Sequence, residues 1–185
     1  MKKPLFKWMM AVALFTFAAA SCSKDDDDGG NGNEEELITT LEVTAAESGS
    51  AIISKFIFRD LDGPGGANPS VFDSMILNSN RNYAISLRFL NESVNPAEDI
   101  TLEVVNEAND HQVYYEPGAV NIIALNLNSD GVGLPLGTTC NWNTGGPAKG
   151  TLKITLKHKP GIKLAGDPVS KGETDIEVNF GVRLK

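Results

Sequence analysis

Histidine and cysteine are nearly absent from this chain of 185 residues, which holds two of each: His111 and His158, Cys22 and Cys140. No CxxC pair, glycine-rich phosphate loop or Ser-His-Asp spacing appears, so no redox, nucleotide or acyl-transfer chemistry is indicated. Acidic residues are plentiful, but abundance without a cleft is no evidence for general acid–base work. Basic surface is scarce: 16 Lys and Arg face 24 Asp and Glu, a net charge of −8. That balance excludes nucleic acid as a partner, because phosphates require basic surface. Long apolar runs are missing as well. The longest covers residues 8–19, and spanning a bilayer takes about 20. Glycine (18), with many Asn and Thr, favours strands and turns over helices.

The start of the chain reads as a targeting segment. Lys2, Lys3 and Lys7 form a basic region, the apolar run follows, and Ala18-Ala19-Ala20-Ser21 lead into Cys22. Small residues before a cysteine resemble a bacterial lipobox, with Ala19 where the usual pattern has Leu. The resemblance implies cleavage before Cys22 and its acylation, leaving 13 basic against 24 acidic residues, a net charge of −11. The alternative is an ordinary signal peptide cut after Ala20. With Cys22 acylated, Cys140 has no disulfide partner and reads as a small buried hydrophobe.

Residues 22–36 combine Asp25-Asp26-Asp27-Asp28, glycines and Glu34-Glu35-Glu36. Such a stretch buries no apolar area and is expected to be a disordered tether. It resembles the acidic signal after the lipidated cysteine of Bacteroidetes lipoproteins, which implies transport to the cell surface. A plain solvated linker on a periplasm-facing protein is the alternative.

From residue 37 to 185 apolar and polar residues alternate. Leu41 and Val43 do so, then Ile52, Phe56 and Phe58, then Tyr83, Ile85, Leu87 and Phe89. Ile100, Leu102 and Val104 follow, then Val113 and Tyr115, and Val120 and Ile122. Leu152, Ile154 and Leu156 alternate, and so do Ile176, Val178 and Phe180. Period two predicts half-buried antiparallel strands, separated by turn signals at residues 60–66, 91–96, 116–118, 128–133, 145–147 and 160–172. The expected fold is all-β: one antiparallel, immunoglobulin-like β-sandwich of seven to nine strands. A brief helix is expected at residues 103–108.

Several segments resemble small flavobacterial lipoproteins of unassigned activity: Glu35-Glu36-Leu37-Ile38-Thr39-Thr40, Phe58-Arg59-Asp60-Leu61-Asp62-Gly63, Leu90-Asn91-Glu92-Ser93, Pro96-Ala97-Glu98-Asp99-Ile100-Thr101, Asp110-His111-Gln112 and Gly172-Glu173-Thr174-Asp175-Ile176-Glu177-Val178. Members often carry the label of the type 1 periplasmic binding fold, a doubly wound α/β domain with long helices. No long helical pattern appears in this sequence. The resemblance implies a lipoprotein of the outer membrane and gives no mechanism.

Few residues are candidates for chemistry. Asp60-Leu61-Asp62-Gly63 resembles the start of a calcium loop, but Val71 stands where the closing acid belongs. An acidic turn between strands is the other reading. His111, near Glu103, Glu107 and Asp110, would share a metal with His158 only if the fold brings the two together. Glu173, Asp175 and Glu177, spaced two apart, form an acidic stripe, and Lys153 and Lys157 a basic one; cross-strand ion pairing explains both. Asp73-Ser74-Met75 resembles the Bacteroidetes O-glycosylation pattern, with Ser74 as acceptor. Asn91-Glu92-Ser93 has the form of an N-glycosylation site, which means little in a bacterium.

The expectation is a lipid-anchored, surface-exposed outer-membrane lipoprotein acting as a non-enzymatic binding or accessory module without a cofactor. Its partners would be the membrane, through the anchor, and an outer-membrane transporter or extracellular ligand. The alternative is a divalent-metal-binding lipoprotein of an uptake system, holding calcium or zinc through Asp60, Asp62, His111, Glu173 or Asp175.

Overall fold

The computed structural model describes residues 37–63 and 65–185. The leader, Cys22 and the tether lie outside the described residues. Among the described residues, eleven strands and one short helix follow in order: β1 (Thr40–Glu47), β2 (Ile53–Arg59), β3 (Val71–Phe72), β4 (Met75–Leu77), β5 (Asn82–Asn91), β6 (Glu98–Asp99), α1 (Thr101–Asn106), β7 (His111–Gly118), β8 (Ile122–Leu125), β9 (Thr139–Thr144), β10 (Ala148–His158) and β11 (Glu173–Leu184). Eight of the strands have four or more residues.

They form two sheets. One has the order β3-β2-β1-β5-β9-β8, with β6 against β5; the other has the order β4-β11-β10-β7. Neighbours run antiparallel except β4 and β11, which are parallel. The result is the all-β sandwich that the alternation predicts. One core joins both sheets. Leu41, Val43, Ile85, Phe89 and Trp142 come from the first, and Leu152, Ile154, Leu156, Val178 and Phe180 from the second. Each such side chain contributes roughly 1.5–3 kcal/mol by leaving water.

Beyond the short strands β3, β4 and β6, which the alternation does not mark, two elements depart from the expectation. The helix lies two residues earlier, at Thr101–Asn106. Ile100 and Val104 are buried while Leu102 is 66% exposed, the four-residue spacing of a helix face rather than strand alternation. The Thr101 hydroxyl accepts a bond from the Phe89 backbone N–H at 2.9 Å and so ties the helix to β5. The second departure is β9, which buries Cys140 and Trp142 and turns Thr139 and Asn141 outward. Among the described residues no helix is long and apolar enough to cross a membrane.

Candidate functional site

A register slip between β10 and β11 shapes the region. Leu156 opposes Ile176, but Lys157 opposes Thr174, so Asp175 is an extra residue in β11. A bulge of this kind re-aims a side chain. By simple alternation Asp175 would share the outer face of Glu177. Instead its side chain is 0% exposed, whereas that of Glu177 is 49% exposed. The three evenly spaced acids therefore do not form one stripe. Glu177 bridges to Lys153 at 3.3 Å, and Lys153 also meets Glu116 at 3.3 Å. Lys157 donates to the Thr174 hydroxyl at 2.7 Å.

The turned-in Asp175 meets the histidines. His111 opposes His158 across the β7–β10 pair, and both are buried. Their rings stack with centroids 4.5 Å apart and planes 2° from parallel. His111 Nε2 lies 3.8 Å from Asp175 Oδ2. On the other side, His111 Nδ1 lies 3.2 Å from the Glu107 carbonyl oxygen. A carbonyl only accepts, so this contact places a proton on Nδ1.

Glu107, His111 and His158 offer ligand atoms within 4.8 Å of one another, as a metal site of two imidazoles and a carboxylate would. The stacking opposes that use. An imidazole lone pair lies in its ring plane, and two parallel, stacked planes share no point where one ion could sit. Either ring would have to swing first.

The remaining predicted residues separate. Asp62 is exposed and its Oδ2 accepts the Ala67 N–H at 2.7 Å. That bond, with a contribution from Asp60, holds its carboxyl below the usual range. It stabilises its own turn. Glu173 is exposed and opposes His158. Ser74 is exposed between β3 and β4. Cys140 is buried, which pushes its thiol up, away from the reactive thiolate.

Asp60 is different. It follows β2 directly and is only 9% exposed, and its buried Oδ1 has no hydrogen-bond partner. Asp60 lines a cavity of about 220 Å³ together with Ile38, Phe58, Gly63, Thr174, Asp175, Ile176 and Glu177. The fold thus brings Asp60 and Asp175 to one cavity between the end of β2 and the start of β11, with His111 behind Asp175. Asp60, Asp175 and His111 stand out in the sequence one by one. The apolar walls, Ile38 and Phe58, do not, because an apolar residue beside a cavity looks like any core residue. Nothing in the residue pattern signals the bulge. No family model, curated protein or solved structure matches the chain.

Proposed function

We propose that this protein is a lipid-anchored lipoprotein of the outer membrane, displayed at the cell surface, whose β-sandwich is a non-enzymatic binding module. Binding takes place in the cavity between β2 and β11. One observation carries that placement: Asp60, whose buried Oδ1 has no hydrogen-bond partner, lines this cavity, an arrangement that costs stability and is expected where a ligand supplies the missing partner. The order of leader, Cys22 and acidic tether supports the anchoring and the display.

Anchoring is tested by Cys22→Ala. One acylated residue carries the whole attachment, so the variant should leave the membrane fraction and become soluble. In intact cells the wild type should be cleaved by added protease. A Cys22→Ala protein that still sediments with outer membrane would refute the anchor.

A second reading, a divalent-metal lipoprotein, has the Glu107, His111 and His158 grouping in its favour. Thermal melts with chelator, calcium and zinc separate the two. A metal at a hundredfold excess over Kd adds about 2.7 kcal/mol, which for a domain of this size is a rise of several degrees. The parallel rings lead us to expect no shift. A zinc-dependent rise that disappears in His158→Gln would establish the metal reading.

A further inference from the structure

We propose that the ligand of this cavity is a small organic ammonium ion, its apolar body against Ile38, Phe58 and Ile176 and its charged nitrogen toward Asp60. This rests on the binding reading above and names the chemical class that the site takes.

Charge decides first. Asp60 is nine-tenths buried, and its Oδ1 has no hydrogen-bond partner. Among the described residues no lysine or arginine forms an ion pair with it. Asp175 lies behind it with its side chain closed off and His111 Nε2 at 3.8 Å from its Oδ2, and Glu177 at the rim is bridged to Lys153 at 3.3 Å. A buried anion calls for a donor or a countercharge. An ammonium group brings both, a full positive charge and three N–H donors. An anionic ligand would meet the like charge of Asp60.

The walls then choose between an organic cation and a metal ion. Calcium takes six to eight oxygen ligands and magnesium keeps several waters, whereas Ile38, Phe58 and Ile176 give much of this lining to aliphatic and aromatic surface. Zinc prefers nitrogen and sulfur, and the two histidines do not line the cavity. An alkylammonium uses both the Asp60 carboxylate and the walls, and the Phe58 ring is itself a favourable neighbour for a cation. Size sets the length. A volume of 220 Å³ equals about seven waters at roughly 30 Å³ each, enough for a body of about six non-hydrogen atoms.

The test is calorimetric titration of the mature lipoprotein in detergent with pentylammonium, 1-pentanol and pentanoate, which share one apolar body and differ in charge, and with calcium and zinc chlorides. Pentylammonium should bind at least tenfold more tightly than pentanol, and pentanoate not at all. Asp60→Asn should fold, since it removes a buried charge, and should bring pentylammonium down to the level of pentanol. Ile38→Trp, which fills the cavity and leaves the Asp60 carboxylate, should abolish binding of either. Equal affinities for pentylammonium and pentanol, unchanged in Asp60→Asn but lost in Ile38→Trp, would overturn the cationic specificity while leaving the binding site in place. Heat from none of the organic probes would overturn both readings. Calcium or zinc binding lost in Asp60→Asn would replace the ammonium ion with a metal.

Discussion

Trp142→Ala should destabilise the domain by about 3–5 kcal/mol, the largest effect expected of any single truncation here. Trp142 lies in β9, is 0% exposed, and stands opposite Tyr83 of β5 on one side and Ala124 of β8 on the other. Its indole also reaches the second sheet, where Tyr115 of β7 packs against it edge-on at 5.8 Å and 79°. Truncation removes that bridge and leaves a void between sheets held by backbone hydrogen bonds, so little collapse can relieve it. For a domain of this size each kcal/mol lowers the melting point by about 2–4 °C, which gives a fall of roughly 10 °C. Urea unfolding followed by far-ultraviolet circular dichroism measures the loss directly. A cost below about 1 kcal/mol would mean that β9 does not pack as described.

The same strand shows where the sequence is hard to read. β5, β10 and β11 announce themselves, because Tyr83 to Phe89, Leu152 to Leu156 and Ile176 to Phe180 alternate without a break and bury every second residue. The segment TCNWNT of β9 has only two apolar residues to bury, Cys140 and Trp142, each followed by an asparagine, and looks like a loop. Its conformation is imposed by its neighbours β5 and β8, a tertiary effect that outweighs local propensity. The helix misleads differently: Ile100, Leu102 and Val104 fit period two as well as they fit a single helical turn. The site turns on one inserted residue. Asp175 is legible as an acid, yet which face it occupies depends on the slip at Leu156 and Lys157, and a bulge changes no letter of the alternating pattern.

A lysine absent from the sequence-level candidates gives the second large effect. Lys159 follows β10 and is fully buried. Its Nζ donates to Gln112 Oε1 at 3.2 Å and to the Tyr114 hydroxyl, lies 4.7 Å above the Tyr114 ring, and has Asp167 Oδ2 at 3.8 Å. Tyr114 in turn donates to the Asp167 carbonyl at 2.9 Å. These contacts fasten the 159–172 loop to β7, and Lys163 adds a 2.8 Å pair with buried Asp130. Lys159→Ala deletes a packed stem and strips donors from two polar groups, a loss of about 3 kcal/mol. Lys159→Met keeps the stem but strips the same donors and leaves the Asp167 carboxylate without this ammonium, so it should cost about 1–3 kcal/mol, less than Lys159→Ala. Alkaline pH separates the contributions. Burial pulls the Lys159 ammonium below its ordinary 10.5, Asp167 opposing. The folded state therefore releases that proton first, and stability rises as pH approaches 10.5. Burial, then the Asp167 charge, pushes the Tyr114 hydroxyl from 10.0 up to about 12. Its contribution is complete below pH 10 and is lost as pH rises from 10.0 through about 12. That displacement is worth at most about 2.7 kcal/mol, and solvent screening of the half-buried hydroxyl reduces it to about 1–2 kcal/mol. Chemical denaturation between pH 8 and pH 12 should show a rise followed by a fall. Tyr114→Phe should remove the fall, and Lys159→Met the rise. A Lys159→Ala protein as stable as the wild type, with the same alkaline profile, would show that the loop does not dock on β7 in solution.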